Sequence, residues 1–396
     1  MPIAAVSSRM LAVTEEMRAV MDFAQRVLEG DGLGPDACDF MFGNPQEPPL
    51  RGLVDALVRH AEPQDVHWFG YQKYDALARE TVARKLSETR GRSYEPADIA
   101  ITAGGFGAIA AALLAVLEVG DEVIYPRPGW FAYGAQIRGA AGTPVAVDLS
   151  PVNFDLDIEK IAASITPRTR VVVVNTPHNP TGRIFPRAQL DALADMLAAA
   201  SERHGKAIYL LADEPYARLV FGANAHISPA ESYPHTLIAY SYGKTLLAPG
   251  ERLGWLALGA DMPEADRMRL REAVDIAQVS HGWAFAGRTL QRALPDLEKL
   301  CIDVTALERR RDRMVEGLRA AGYDLPVPEG TFYVIPRSPI PDDMAFAARL
   351  AADGVWVLPG SVAQLPGRLR ISLTANDVMV ERSLPVFAHA IREVAA

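Results

Sequence analysis

The sequence predicts an α/β fold: a large domain built on a mostly parallel sheet with helices on both faces, followed by a smaller α+β domain. Three observations predict it. Short apolar runs near Ala100, Val123, Val145, Val171, Ala207, Leu237 and Trp255 alternate with helical patterns such as 187–203, the signature of parallel strands joined by crossover helices. The run 171–174 is four consecutive valines, which suits a strand buried on both faces. After about Pro295 the pattern changes to a charged helix at 306–320 and short strands near 331–335, 355–357 and 369–372.

In chain order, an amphipathic helix at 14–29 leads through a loop to Phe40-Met41-Phe42-Gly43-Asn44-Pro45, and the alternation then begins. A chain of 396 residues can bury a large core and suits two domains, with no run of glycine, serine or charge marking a linker. The stretch 99–117 carries no charge and approaches the length of a membrane span. Its alanine and glycine content and its Thr102-Ala103-Gly104-Gly105-Phe106-Gly107 centre read instead as a strand, a loop and a buried helix. Forty-nine acidic against 40 basic residues give a net charge of −9, which offers no electrostatic footprint for nucleic acid. Two cysteines, Cys38 and Cys301, are too few for a disulfide scaffold and suit a reducing cytosol. Arg9, Glu15, Glu16 and Arg18 interrupt any apolar leader. A cytoplasmic protein with no membrane partner is expected.

Four motifs carry the chemistry. Lys244, in Ser241-Tyr242-Gly243-Lys244-Thr245, follows the apolar run 236–240; desolvation there would favour the free amine, a nucleophile toward a carbonyl cofactor. Ser241 and Arg252 beside it suit a phosphate. Asn175-Thr176-Pro177-His178-Asn179-Pro180-Thr181-Gly182 ends the valine strand in a turn, where ligands of open α/β sheets gather, although each residue is also an ordinary turn former. Asp213, in Asp213-Glu214-Pro215-Tyr216, ends another apolar run. It is either a buried carboxylate in want of a cation or the N-cap of a helix started by Pro215. Gly104, Gly105 and Phe106 join a strand to an alanine-rich helix whose first amides suit phosphate, or simply allow close packing.

The ordered set, together with Pro128-Gly129-Trp130-Phe131-Ala132-Tyr133 and Arg370-Ile371-Ser372, resembles the fold type I pyridoxal-phosphate enzymes, and within them the class I/II aminotransferases related to aspartate aminotransferase. The resemblance runs through nearly the whole chain. It implies pyridoxal 5′-phosphate as cofactor and a large domain at 45–290. It also implies a discontinuous small domain made of 1–44 and 291–396. It further implies a catalytic set of Lys244, Asp213 and Tyr216. Lys244 would bind the cofactor aldehyde and shuttle the substrate proton. Asp213 would pair with the ring nitrogen, and Tyr216 and Asn179 with the ring's phenolic oxygen. Gly104, Gly105, Phe106, Ser241 and Arg252 would hold the phosphate, and Trp130 would stack on the ring. Arg370, in preference to Arg368, would receive the substrate α-carboxylate with Gly43, Asn179 and Trp130 would also contact the substrate, and Trp68 or Tyr71 would cross to the site of a partner subunit in a homodimer.

The expected activity is a ping-pong exchange of the amino group between an L-amino acid and a 2-oxo acid. Two other readings use the same sequence: a β-eliminating carbon–sulfur lyase or synthase of the same fold, and a regulator built on an aminotransferase-like domain. The regulator requires an N-terminal DNA-binding module, whereas the family-like region starts almost at Met1. Phe106 stands where some aspartate-specific members of the similar branch carry a lysine, and with Phe42, Trp68 and Tyr71 it tilts the expected substrate toward an apolar or aromatic side chain.

Overall fold

The computed structural model describes residues 5–29, 33–34 and 36–395, so that residues 1–4, 30–32 and 35 of the expected N-terminal segment lie outside the described residues. Eleven strands occur in it: β1 (Cys38–Phe40), β2 (Ile99–Ala103), β3 (Glu122–Arg127), β4 (Thr143–Asp148), β5 (Thr169–Asn175), β6 (Tyr209–Asp213), β7 (Thr236–Ser241), β8 (Leu253–Leu258), β9 (Tyr333–Val334), β10 (Val355–Pro359) and β11 (Leu369–Ser372).

Strands β2 to β8 form one sheet in the order β2-β8-β7-β6-β5-β3-β4. Every pairing is parallel except those of β8, which runs antiparallel to both of its neighbours. All residues of β6, β7 and β8 are buried whatever their parity, so both faces of the sheet centre are covered, as the valine run predicts. The helix Arg187–His204 shows how the cover is made: Leu190, Leu193, Ala194 and Leu197 recur at helical spacing and are buried. The neutral stretch 99–117 divides into β2 and the helix Gly104–Val116. Among the described residues no helix is long and apolar enough to cross a membrane.

The second sheet has the order β1-β10-β11-β9. Its core of Phe40, Leu318, Phe332, Phe346, Ile371 and Phe387 is separate from that of the large sheet. The helix Ser8–Glu29 joins the two bodies. It packs on the helix Tyr133–Gly139 of the large sheet, and its Val20 and Phe23 cluster with Met41, Leu358 and Val362 beside the small one.

Three boundaries differ from those the sequence suggests. The first helix begins at Ser8, because Ser7 Oγ accepts the Met10 amide at 3.2 Å and starts it early. Strand β6 begins at Tyr209, because the Ala207 carbonyl accepts Arg170 Nη1 at 2.5 Å. The expected domain edge at residue 290 falls inside the helix Arg288–Leu297, whose Ala293, Leu294 and Leu297 belong to the core of the large sheet.

Candidate active site

The parallel strands β5, β6 and β7 all end at one edge of the sheet, with Asn175 in register with Asp213 and Asp213 with Ala239. β2 runs the same way, so the helix Gly104–Val116 starts at that edge, and antiparallel β8 begins there. A cavity of about 220 Å³ lies over this edge. Its lining includes Gly105, Phe106, Trp130, Asn179, Asp213, Tyr216, Ser241, Lys244 and Arg252 from the large body, and Gly43, Tyr333 and Arg370 from the small one. The fold thus brings together residues from more than 300 positions of chain.

Each arrives by a local device. Ser241 caps the one-turn helix Tyr242–Thr245, its Oγ accepting the Gly243 amide at 3.3 Å, and this turn points Lys244 into the cavity. Lys244 Nζ lies 5.8 Å from the centre of the Phe332 ring, and no carboxylate among the described residues pairs with it. Arg252 takes a left-handed conformation (φ 45°) just before β8, and its guanidinium passes close beside the glycine pair. A Cβ on Gly104 (φ +71°) would stand 2.9 Å from Arg252 Nη2, and one on Gly105 would stand 3.3 Å from Ser241 Cβ. The positive φ favours glycine at position 104, and Ser241 leaves little room beside Gly105. The turn after β5 is a built unit as well: His178 Nδ1 meets Thr181 Oγ1 at 2.9 Å, and burial pushes the imidazole down to about 3, so it stays neutral.

Asp213 is followed by a turn, which removes the helix-cap reading. Its carboxylate is buried, and burial lifts its pKa to about 7, against the lowering effect of the Tyr133 hydroxyl that donates to Oδ2 at 2.5 Å. Asn175 Nδ2 adds a 3.3 Å bond to Oδ2, and Asn175 Oδ1 accepts the Asn179 amide at 2.7 Å. No cation pairs directly with Asp213 among the described residues.

Arg370 is buried on β11. One Nη donates to the Met41 carbonyl at 3.0 Å, the guanidinium lies 4.4 Å from the Tyr333 ring centre, and Nε has no partner. Arg368, the competitor, turns away to the Ile335 carbonyl and the Phe154 ring. Gly43 lies under Phe332, whose ring a Cβ would approach to 2.9 Å. Trp130 meets Phe106 and Tyr133 edge to face at 4.4 and 5.3 Å. Trp68 and Tyr71 do not line this cavity. Trp68 is buried under the Arg292 guanidinium, its Nε1 bonded to the His60 carbonyl, and Tyr71 is fully exposed.

Sequence reasoning missed Tyr133, Asn175 and Tyr333. The first two sit inside quoted motifs: Asn175 is the polar residue that ends β5, and Tyr133 opens the helix Tyr133–Gly139. Tyr333 has no signal beyond an alternating Thr331-Phe332-Tyr333.

The cavity therefore presents a buried carboxylate with no directly paired cation and only the field of Lys244 to favour its charge, a buried guanidinium with a free N–H, an amine with no directly paired carboxylate and a glycine-lined cradle beside an arginine. A ligand that answers all four carries a cationic group, an electrophile for the amine and anionic ends. Comparison with known proteins agrees. The model of the family "Aminotransferase class I and II" matches residues 36–386. The aspartate/prephenate aminotransferase of Thermus thermophilus is 34% identical over 354 residues, covering 87% of this chain and 86% of that protein. Its counterpart from Cereibacter sphaeroides is 31% identical over 400 residues, 94% of each. Among solved structures, an amino transferase from Eubacterium rectale superposes with a TM-score of 0.88 at 25% identity, covering 98% of this chain and 99% of that one. A mutant aspartate aminotransferase of Thermus thermophilus gives 0.82 at 28%, covering 98% and 100%.

The chain belongs to the aminotransferase class I and II family. It is a pyridoxal-phosphate-dependent aminotransferase that works on small amino and oxo acids.

Proposed function

We propose that the protein takes the amino group from an L-amino acid with an apolar or aromatic side chain and passes it to a 2-oxo acid by a ping-pong route. The observation that carries the side-chain preference is the cavity wall. Phe42, Phe106, Trp130 and Phe131 line it, and its three cations, Lys244, Arg252 and Arg370, have other work. The Thermus thermophilus relative is named for aspartate and prephenate. An aspartate side chain brings a second carboxylate, which a wall of rings does not pair.

Pyridoxal 5′-phosphate, when bound, supplies an aldehyde that amino groups attach to and a ring that accepts electrons from the substrate Cα. Lys244 would hold that aldehyde and, once displaced, take the proton from Cα with its freed Nζ. Asp213 would face the protonated ring nitrogen, a cation that answers its buried charge. Tyr216 and Asn179 would donate to the phenolic oxygen. Ser241, Arg252 and the amides of Gly105 and Phe106, beside Gly104, would hold the phosphate, where the arginine fork adds charge and geometry. Trp130 would cover a ring face. Arg370 would receive the α-carboxylate with help from the Gly43 backbone.

The same reading takes the molecule as a cytoplasmic homodimer of two-domain subunits. A large domain begins near residue 45, and a small one is formed by the N-terminal segment with the chain after the helix Arg288–Leu297. The free thiols Cys38 and Cys301 support a reducing compartment. Exposed Val66, Phe69 and Tyr71 support a partner near Trp68. Light scattering that finds an active monomer would remove the dimer.

The test is the visible spectrum of the loaded enzyme during addition of single amino acids without a 2-oxo acid. Loss of the band, reversed by a 2-oxo acid, is expected at far lower concentrations of phenylalanine or leucine than of aspartate. The opposite ranking overturns the preference. Lys244→Ala should keep the cofactor but lose turnover by roughly 100-fold or more.

A further inference from the structure

We propose that the Tyr333 hydroxyl is a second reader of the substrate carboxylate, donating its proton to the anion that Arg370 holds. The inference rests on the proposed role of Arg370 and adds a residue to it. Tyr333 is buried on β9, in register with Ser372 beside Arg370 on β11. Its ring lies under the guanidinium, and its oxygen would be 3.2 Å from a Cβ on Gly43, so ring, hydroxyl, glycine and arginine converge on one spot.

Donor counting gives the rest. Tyr216 Oη, whose proton would go to the cofactor's phenolic oxygen, lies 3.5 Å from Tyr333 Oη, longer than a close O–H···O bond. The single proton of Tyr333 therefore has no close acceptor among the described residues. Arg370 Nε is likewise without one. Two neighbouring buried donors call for a group that only accepts, and an ionised carboxylate is such a group. The backbone supports the placement: Thr331, a β-branched residue, is held at φ 70° two positions ahead, a conformation that costs free energy and turns Phe332 and Tyr333 inward.

The titratable groups facing Tyr333 are Tyr216, Arg370 and Lys244. Burial pushes its pKa up, but the charges of Arg370 and Lys244 more than offset this and hold it below the ordinary tyrosine value. A carboxylate on Arg370 neutralises part of that field and returns the proton to Tyr333. Carboxylate binding should therefore weaken as pH rises through the lowered pKa, because the free site must then regain a proton.

The experiment measures the affinity of 3-phenylpropanoate, which has the carboxylate but no amine to react. Calorimetry is run on wild type, Tyr333→Phe and Arg370→Lys, each with and without pyridoxal 5′-phosphate, between pH 7 and 10. We expect Tyr333→Phe to bind about 10-fold more weakly at pH 7, with a flatter pH dependence and unchanged cofactor affinity and melting temperature. Arg370→Lys should be weaker still. If Arg370→Lys weakens binding and Tyr333→Phe leaves both affinity and pH slope at wild-type values, the Tyr333 assignment is wrong. If neither variant changes affinity, the carboxylate site itself is misplaced and the assignment falls with it. A Tyr333→Phe protein that melts lower and loses cofactor affinity without loss of the pH slope also overturns it, since that is the pattern of a packing role.

Discussion

Asp213 and Glu214 are consecutive, both buried and both carboxylates, and the protein treats them in opposite ways. Asp213 faces the cavity, with a phenol and an amide for company, and burial lifts its pKa to about 7. Glu214 faces the other side, where Arg90, Ser228 and His226 surround it. There burial works against the charge, yet the Arg90 guanidinium and its neighbours pull the pKa down to about 2. The fold can satisfy a buried carboxylate fully, and does so one residue away from the one it leaves without a directly paired cation. The difference marks Asp213 as a group completed by a ligand and Glu214 as one completed by the fold.

The strongest test removes the charge on the cavity side. Asp213→Asn should weaken pyridoxal 5′-phosphate binding by at least roughly 100-fold, the cost of depriving a buried cation of its partner, as read by spectroscopic titration. Unchanged affinity would break the comparison at once. On the other side, Arg90→Met should lower stability by about 3–5 kcal/mol because it strands Glu214, with little change in cofactor affinity per folded molecule; urea unfolding and titration of one sample measure both. Glu214 holds its proton less tightly folded than unfolded, so its contribution is present above about pH 4.5 and lost as pH falls toward 2.

A smaller effect has the opposite sign. Without cofactor, Asp213 holds its proton more tightly in the folded chain. It therefore costs stability progressively as pH rises from about 3.8 to 7. Cofactor-free Asp213→Asn should be a few kcal/mol more stable than wild type at pH 8 and no more stable at pH 3.5, by calorimetric melting. The smallest change is Tyr133→Phe. It removes one donor from Asp213 and should cost about 1–3 kcal/mol in the cofactor-free protein at pH 8, where the carboxylate is ionised, and less at pH 5.

The same pair shows what was legible beforehand. That β6 would end in a buried aspartate could be read from its apolar run, because strand burial is a local pattern. That Glu214 would be held by Arg90 could not, since 124 residues separate the two and only the sheet order brings them together. That Lys244, Asn179 and Arg370 would meet at one cavity could be expected because each sits in a motif, the first two just past a strand end and the third within β11. Tyr333 could not be, because its meaning depends on register with β11, and register is not written in either strand alone. Trp68 and Tyr71 looked interchangeable in sequence, yet one is packed beneath Arg292 and the other stands in solvent.

One antiparallel strand has a further consequence. Because β8 turns back against β7, Lys244 and Arg252 sit at the two shoulders of a single hairpin, eight positions apart. The group proposed to hold the cofactor aldehyde and the one proposed to hold its phosphate therefore belong to one cooperative opening unit. Amide exchange in 236–241 and 253–258 should slow together when cofactor is added. A fluctuation large enough to free one end of the cofactor would free the other with it, so retention of the cofactor becomes a measure of how seldom this hairpin opens.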